Sequence, residues 1–237
     1  MREDNRLLEE LRPEKGTALA RAVALHLEGK GREALVELDR ALESGDSPRE
    51  VYAARGHIQF ELELYEEAVK SYESLSTIDP NAISAFFNLA ICQEKLGRWA
   101  EAAANFERVL QHDSGRHDAR LGLGISLLHL KKAEHALECF NLCLKAESAN
   151  ETALFGKAVA LELLSRFDEA LGLYRQILAA NPNAEEPMSN MVHIGMRVGD
   201  DALVAEISER LLALRPFSQT CLLYTSDAAD DLLCVDL

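Results

Sequence analysis

Residues 112–118 form the densest group of side chains that could do chemistry. They read His-Asp-Ser-Gly-Arg-His-Asp, and histidines with nearby carboxylates are donors that a zinc ion binds. Serine, glycine and aspartate are also the residues that cap helices and form turns. A polar boundary between two helices therefore explains this stretch, and we expect no metal there.

Two cysteines and a pair of glycines are the remaining chemical candidates. Cys139 and Cys143 lie one helical turn apart, but no second pair of ligands accompanies them, so we expect thiols buried in a core. Gly122 and Gly124 lack the third glycine and the preceding strand of a dinucleotide-binding loop. The sequence contains no phosphate-binding loop, nucleophile elbow or paired-histidine zinc helix. We predict a protein that is not an enzyme, with no catalytic residue, no metal and no cofactor.

The elements that carry these side chains recur at a fixed interval. An alanine occurs every 34 residues, with a large apolar or aromatic residue four positions later and a small residue twelve positions earlier. Two apolar runs at helical spacing lie in each interval, so the pattern predicts stacked helical hairpins and disfavours an ordinary antiparallel bundle. The alanines are Ala34, Ala68, Ala102, Ala136 and Ala170; the large residues are Leu38, Tyr72, Phe106, Phe140 and Tyr174; the small ones are Ala22, Gly56, Ala90, Gly124 and Ala158.

This pattern resembles the tetratricopeptide repeat family. The resemblance implies an all-α, right-handed superhelical solenoid of helix-turn-helix repeats. The array is expected over 15–218, with repeats at 15–48, 49–82, 83–116, 117–150 and 151–184 and a degraded sixth at 185–218. Val204 and Ser208 replace the alanine and the aromatic residue there, so we expect its two helices to be shifted or frayed. Residues 1–14 are expected to form a capping helix or part of a preceding repeat.

The end of the chain differs in kind from the repeats. From Cys221 it reads Cys-Leu-Leu-Tyr-Thr-Ser-Asp-Ala-Ala-Asp, which resembles the translation of a transposon-type sequencing adapter. We therefore expect residues 219–237 to be a non-native tail and the native gene to continue beyond Thr220.

Composition restricts the partners and the compartment. The net charge of −15 disfavours nucleic acid, whose phosphates attract basic surfaces. No apolar run is long enough to span a bilayer, and the charged start lacks the apolar core of a signal peptide. Without the tail the cysteines are Cys92, Cys139 and Cys143, an odd number that fits a reducing compartment. We predict a cytoplasmic protein.

The family resemblance also implies a binding surface, because the first helix of each hairpin in this family lines a concave groove. We expect a protein or peptide partner that is apolar and basic, although solvated surface acids would give the same pattern. The groove residues carried over from the family are Leu19, Val23, Ala53, His57, Phe87, Asn88, Ile91, Leu121, Ile125, Phe155, Val159 and Asn190, and the acidic flanks are Glu50, Glu61, Glu94, Asp118 and Glu162.

Two departures from the family refine this expectation. Chaperone-tail binders hold a terminal carboxylate with lysines, asparagines and an arginine, and of the matching positions only Asn88 suits, so we predict no such clamp. Asn88 and Asn190 match groove asparagines that hold a peptide backbone in other members of the family, but a buried or capping asparagine is an equal alternative.

The resemblance therefore predicts a non-catalytic protein-protein interaction scaffold that binds a peptide segment in the groove. Two alternatives stay open. In the first, the chain is the regulatory or substrate-presenting arm of a larger protein, such as a glycosyltransferase. In the second, it is an assembly factor for the envelope or for secretion.

Overall fold

The computed structural model describes residues 16–214, and within that range the chain folds entirely into α-helices and short turns. The chain divides into two compact units, Met1–Gly122 and Leu123–Leu237. The twelve helices of residues 16–214 are α1 (Ala18–Leu27), α2 (Gly31–Glu43), α3 (Pro48–Glu61), α4 (Tyr65–Ile78), α5 (Ile83–Lys95), α6 (Trp99–His112), α7 (His117–His129), α8 (Ala133–Ala146), α9 (Glu151–Leu163), α10 (Phe167–Ala180), α11 (Glu185–Val198) and α12 (Asp201–Leu214).

Within that range no helix combines the length and the hydropathy that a membrane-spanning segment requires. The predicted capping helix of residues 1–14 and the adapter-like tail of residues 219–237 lie outside the part of the chain that the structure describes.

The turn inside each hairpin has the same backbone geometry. One residue per turn adopts a left-handed conformation, and the next residue donates a hydrogen bond back to the helix that has just ended. At Gly97 this conformation carries no side-chain penalty, whereas Lys131 adopts it with a φ of 57°. The left-handed residues are Gly29, Glu63, Gly97, Lys131, Ser165 and Gly199.

The repeating side chains form the core. All five repeated alanines are fully buried, and the large residue that follows each one is at most 3% exposed. Removing these apolar groups from water is the main favourable contribution to folding. The 34-residue pattern therefore marks the residues that hold each hairpin together.

Consecutive hairpins are joined by an aromatic ring that occupies the place of a missing side chain. Phe140 of α8 lies between Gly124 of α7 and Gly156 of α9, and a Cβ added to Gly156 would be 2.4 Å from the ring. In the first unit, Phe106 of α6 lies in the same way against Gly122, again at 2.4 Å. Glycine suits these positions because any side chain there would overlap an aromatic ring that is itself fully buried, so the ring or its neighbours would have to shift.

The last hairpin is regular. The prediction that its two helices are shifted or frayed is therefore wrong for residues 185–214. Helices α11 and α12 each begin 34 residues after α9 and α10, their equivalents in the preceding hairpin. Val204 is larger than the alanine it replaces, but it faces Gly195, where an added Cβ would be 2.9 Å from the valine side chain. The glycine on α11 therefore makes room for the extra methyl groups on α12.

We predict that Gly156→Ala lowers the free energy of unfolding by about 1–3 kcal/mol, because the new methyl group overlaps Phe140. The matched control is Gly172→Ala, since a Cβ on Gly172 meets nothing within 4 Å. That control should raise stability by about 0.5–1 kcal/mol through its effect on helix propensity. Urea denaturation followed by circular dichroism measures both, and equal effects would contradict the close packing at Gly156.

We also predict that Lys131→Gly stabilises the chain by about 1 kcal/mol, because glycine adopts the left-handed turn conformation without strain. The reverse comparison, Gly97→Ala, should destabilise by a similar amount. The same denaturation experiment tests both changes, and a loss of stability in Lys131→Gly would show that the lysine side chain contributes more than the turn costs.

Candidate functional site

The predicted groove residues of the first unit lie on α1, α3, α5 and the start of α7. Val23 is 38% exposed and His57 is exposed, while the others are half-buried. The surface is small and apolar, as the sequence predicts, but only part of each side chain is accessible. The half-buried members are Leu19, Ala53, Phe87, Asn88, Ile91 and Leu121.

Phe87 is covered by a cation. The Arg116 guanidinium carbon lies 4.2 Å from the centre of the Phe87 ring, and the Phe106 ring packs against Phe87 with centroids 5.8 Å apart. Arg116 also donates two hydrogen bonds to Asp118, at 3.1 and 2.9 Å. These bonds lower the pKa of Asp118, so this predicted acidic flank is an ion pair. Arg116 therefore covers one face of the Phe87 ring, and a ligand that stacks on that face must displace it.

Both predicted groove asparagines bind the tyrosine of the preceding repeat. The Asn190 amide donates to the Tyr174 hydroxyl at 2.9 Å, and the Asn88 side chain is hydrogen-bonded to Tyr72. Asn88 and Asn190 share one repeat position. In the repeats that follow a phenylalanine, this position is a glycine, as at Gly122 after Phe106. The geometry therefore supports a structural role for the amide groups of these asparagines, as partners of a buried tyrosine hydroxyl.

Two predicted contacts of the second unit are in the interior. Val159 is 1% exposed and Glu162 is 4% exposed, because α9 is buried from Ala153 to Glu162 except at Lys157. The expectation that these two side chains meet a ligand is therefore corrected. Glu162 accepts a hydrogen bond from Tyr174 at 3.2 Å and lies 2.9 Å from Nδ1 of His193.

An open cleft of about 570 Å³ lies in the second unit, between the start of α9 and the turn that leads into α11. Phe155, a predicted groove residue, is 8% exposed and contributes to the lining. Glu151 and Glu186 are exposed and Glu185 is half-buried, while Phe155, Ile177 and Pro187 are buried, so the accessible surface of the cleft is mainly polar and acidic. The lining consists of Glu151, Thr152, Phe155, Ile177, Asn181, Asn183, Ala184, Glu185, Glu186 and Pro187.

Most of the cleft residues are absent from the predicted groove. The family pattern draws attention to helix positions, whereas Asn181, Asn183 and Ala184 belong to the connection between two repeats. A cluster of acids at two successive repeat starts, Glu151 and Glu185, is the sequence signal that indicates it. The remaining groove residues of this unit, Ile125 and Asn190, are half-buried outside the cleft lining.

The acidic flanks of the first unit are unequal. Glu50 is exposed and Glu94 is half-buried. Glu61 is exposed, but its Oε1 lies 3.2 Å from Nε2 of His57 and its Oε2 lies 3.5 Å from Nε2 of His26. This is the group of described side chains whose donors could hold a metal ion.

The tyrosine network of the second unit gives a testable prediction. Tyr174→Phe removes a donor to buried Glu162 and an acceptor for Asn190, and should cost about 1–3 kcal/mol of stability. Tyr65→Phe, which keeps its ring contact with Phe60, is the control and should change stability by less than about 0.5 kcal/mol. Urea denaturation measures both.

The dependence of stability on alkaline pH distinguishes the contribution of the Tyr174 hydroxyl from that of its aromatic ring. Burial, followed by the charge of Glu162, raises the pKa of Tyr174, so the folded chain holds this proton where the unfolded chain releases it. Stability should therefore fall as the pH rises above about 10, the ordinary tyrosine pKa, and Tyr174→Phe should lose less than the wild type. Equal losses in the two proteins would contradict this role.

Comparison with known proteins agrees with this architecture. Three sequence models, each described as tetratricopeptide repeat, match residues 50–82, 95–152 and 136–185, which together cover more than half of the chain. No curated protein sequence matches the chain.

Solved structures are similar in fold. MamA from Desulfovibrio magneticus RS-1 superimposes with a TM-score of 0.68 at 17% identity, over 73% of this chain and 98% of that one. YrrB, described as a TPR protein with an unusual peptide-binding site, gives a TM-score of 0.66 at 20% identity, over 71% and 87% of the two chains. MamA MSR-1 gives 0.64 at 21% identity, over 71% and 97%.

These likenesses confirm the expected fold class, an all-α solenoid of helix-turn-helix repeats. At such low sequence identities the solved structures are evidence for a shared fold and not for a shared ligand. With the three sequence matches and the recurring aromatic contacts, they establish that the chain belongs to the tetratricopeptide repeat family.

Proposed function

We propose that the chain is a non-catalytic scaffold that binds a peptide segment carrying an apolar anchor beside basic residues. The observation that carries this proposal is the acidic cleft of the second unit, with Phe155 in its lining and Glu151 and Glu186 exposed beside it. The family acts mainly through protein contacts, which is consistent with a scaffold.

The dimensions of the cleft suit a peptide side chain. Its volume of about 570 Å³ is within the range of ligand sites and can hold a large aliphatic or aromatic group with adjacent backbone. Burying such an anchor stabilises a complex by about 25 cal/mol for each Å² of apolar surface removed from water. Asn181 and Asn183 supply amide groups to meet the backbone of the peptide.

The charges around the cleft favour a basic ligand. Glu151 and Glu186 lie in the lining, and the other lining residues include no lysine or arginine. An ion pair at about 4 Å contributes about 1 kcal/mol in water and more where solvent is partly excluded. The net charge of −15 adds a long-range attraction for cationic partners at low salt.

The first unit offers a different surface for the same partner class. Val23 and His57 are exposed and Ile91 is partly accessible, but Arg116 covers Phe87. We propose that this unit contributes apolar contacts, and that no chaperone-type carboxylate clamp operates. We also propose the cytoplasm as the compartment, where cysteines such as those of the described residues, which are not joined in disulfides, stay reduced.

A peptide array tests the proposal. Peptides with leucine or phenylalanine anchors flanked by lysine and arginine should bind the chain, whereas the same anchors flanked by glutamate should not. Glu151→Gln combined with Glu186→Gln should weaken the best basic peptide on the order of 10-fold at low salt, measured by fluorescence anisotropy. Higher salt should weaken the wild-type complex and reduce the difference between the two proteins.

The control is Glu206→Gln, which neutralises an exposed carboxylate on α12 and should leave the affinity unchanged. The absence of peptide binding would overturn the proposal. Binding that is equal in all three proteins and independent of salt would place the peptide away from this cleft.

A further inference from the structure

Three metal-ligand donors converge on one face of the first unit. His57 and Glu61 lie one helical turn apart on α3, and His26 reaches them from α1. One donor atom from each residue lies within 4.8 Å of the other two. The group contains two imidazoles and one carboxylate, a donor set that zinc and its neighbours in the transition series bind.

The distances approach those of a coordination shell. The Glu61 carboxylate lies 3.2 Å from Nε2 of His57 and 3.5 Å from Nε2 of His26. Ligands that bind a zinc ion tetrahedrally at about 2.0–2.1 Å are about 3.3 Å apart. The two imidazole centroids are 5.6 Å apart, close to the roughly 5 Å of two imidazoles on one zinc ion.

We propose that His26, His57 and Glu61 bind one divalent transition-metal ion, with zinc as the expected occupant. The helix spacing holds His57 and Glu61 on one face before any ion arrives, which reduces the entropy lost on binding. His26, with 23% of its side chain exposed, is the least exposed of the three, while the more exposed His57 and Glu61 leave the ion a route from solvent. Three protein ligands leave the ion a further position for water.

A bound ion would link two hairpins of the first unit. His26 belongs to the hairpin of α1 and α2, and the other ligands belong to the hairpin of α3 and α4. An ion that binds only the folded arrangement stabilises it by mass action. The melting temperature of the first unit should therefore rise with zinc concentration.

The inference does not depend on peptide binding, because the ion is measured without a peptide. The metal-free explanation is a surface contact in which imidazole N–H groups donate to Glu61, and exposed contacts of this kind contribute little. The two explanations make opposite predictions for a chelated sample that is titrated with zinc.

The test uses the full 237-residue chain after removal of metal with a chelator. Calorimetric titration with zinc chloride should give one site, and His57→Ala or Glu61→Gln should weaken it by at least about 10-fold, the loss that even second-shell changes cause. The matched control is His135→Ala, an exposed histidine on α8 outside the cluster, which should bind zinc as the wild type does.

Cobalt identifies the ligands independently. Cobalt bound by imidazole and carboxylate should give visible d–d bands without a thiolate charge-transfer band, which would reveal binding by cysteines instead. Because Glu61→Gln keeps the shape of the side chain, it serves if His57→Ala disturbs folding by circular dichroism. Failure of the wild type to bind zinc, equal binding in Glu61→Gln, or a thiolate band would each overturn the proposal.

Discussion

The structure depends on the contact between an aromatic side chain at the end of one hairpin and a small residue at the start of the next. Phe106 fills the space above Gly122, and Phe140 fills the space above Gly156. Because both rings are fully buried and interiors are packed as densely as organic crystals, moving either ring aside to admit a side chain would disturb its neighbours. Each such contact buries the exposed side of one hairpin, which a single hairpin cannot do alone.

The sequence alone predicts the hairpins because the residues that form these contacts are spaced regularly. It does not predict the regular last hairpin, since Gly195 lies outside the family pattern and only its contact with Val204 explains it. It also misplaces Val159 and Glu162, because a repeat position fixes the direction of a side chain but not what packs over it. The donors of the proposed metal site come from separate repeats, so no local motif contains them.

The accessible chemistry of the two units differs although their helices repeat. In the first unit, Arg116 covers one face of Phe87 and pairs with Asp118, while His57 is exposed beside Glu61. In the second unit, carboxylates surround a cleft in which Phe155 is the aromatic residue. The repeat framework therefore fixes where side chains can project, and the variable positions decide what each surface attracts.

The pairs at successive junctions are not interchangeable. Where the ring is a tyrosine, as in Tyr72 and Tyr174, the following repeat supplies an asparagine for its hydroxyl, and where it is a phenylalanine the following repeat supplies a glycine. A hairpin moved to another place in the array would bring an asparagine against a phenylalanine ring, or leave a buried phenol with no amide to bind. The order of the hairpins is thus encoded in their contacts, which penalises looped-out or swapped arrangements during folding, a characteristic risk for chains built from similar units.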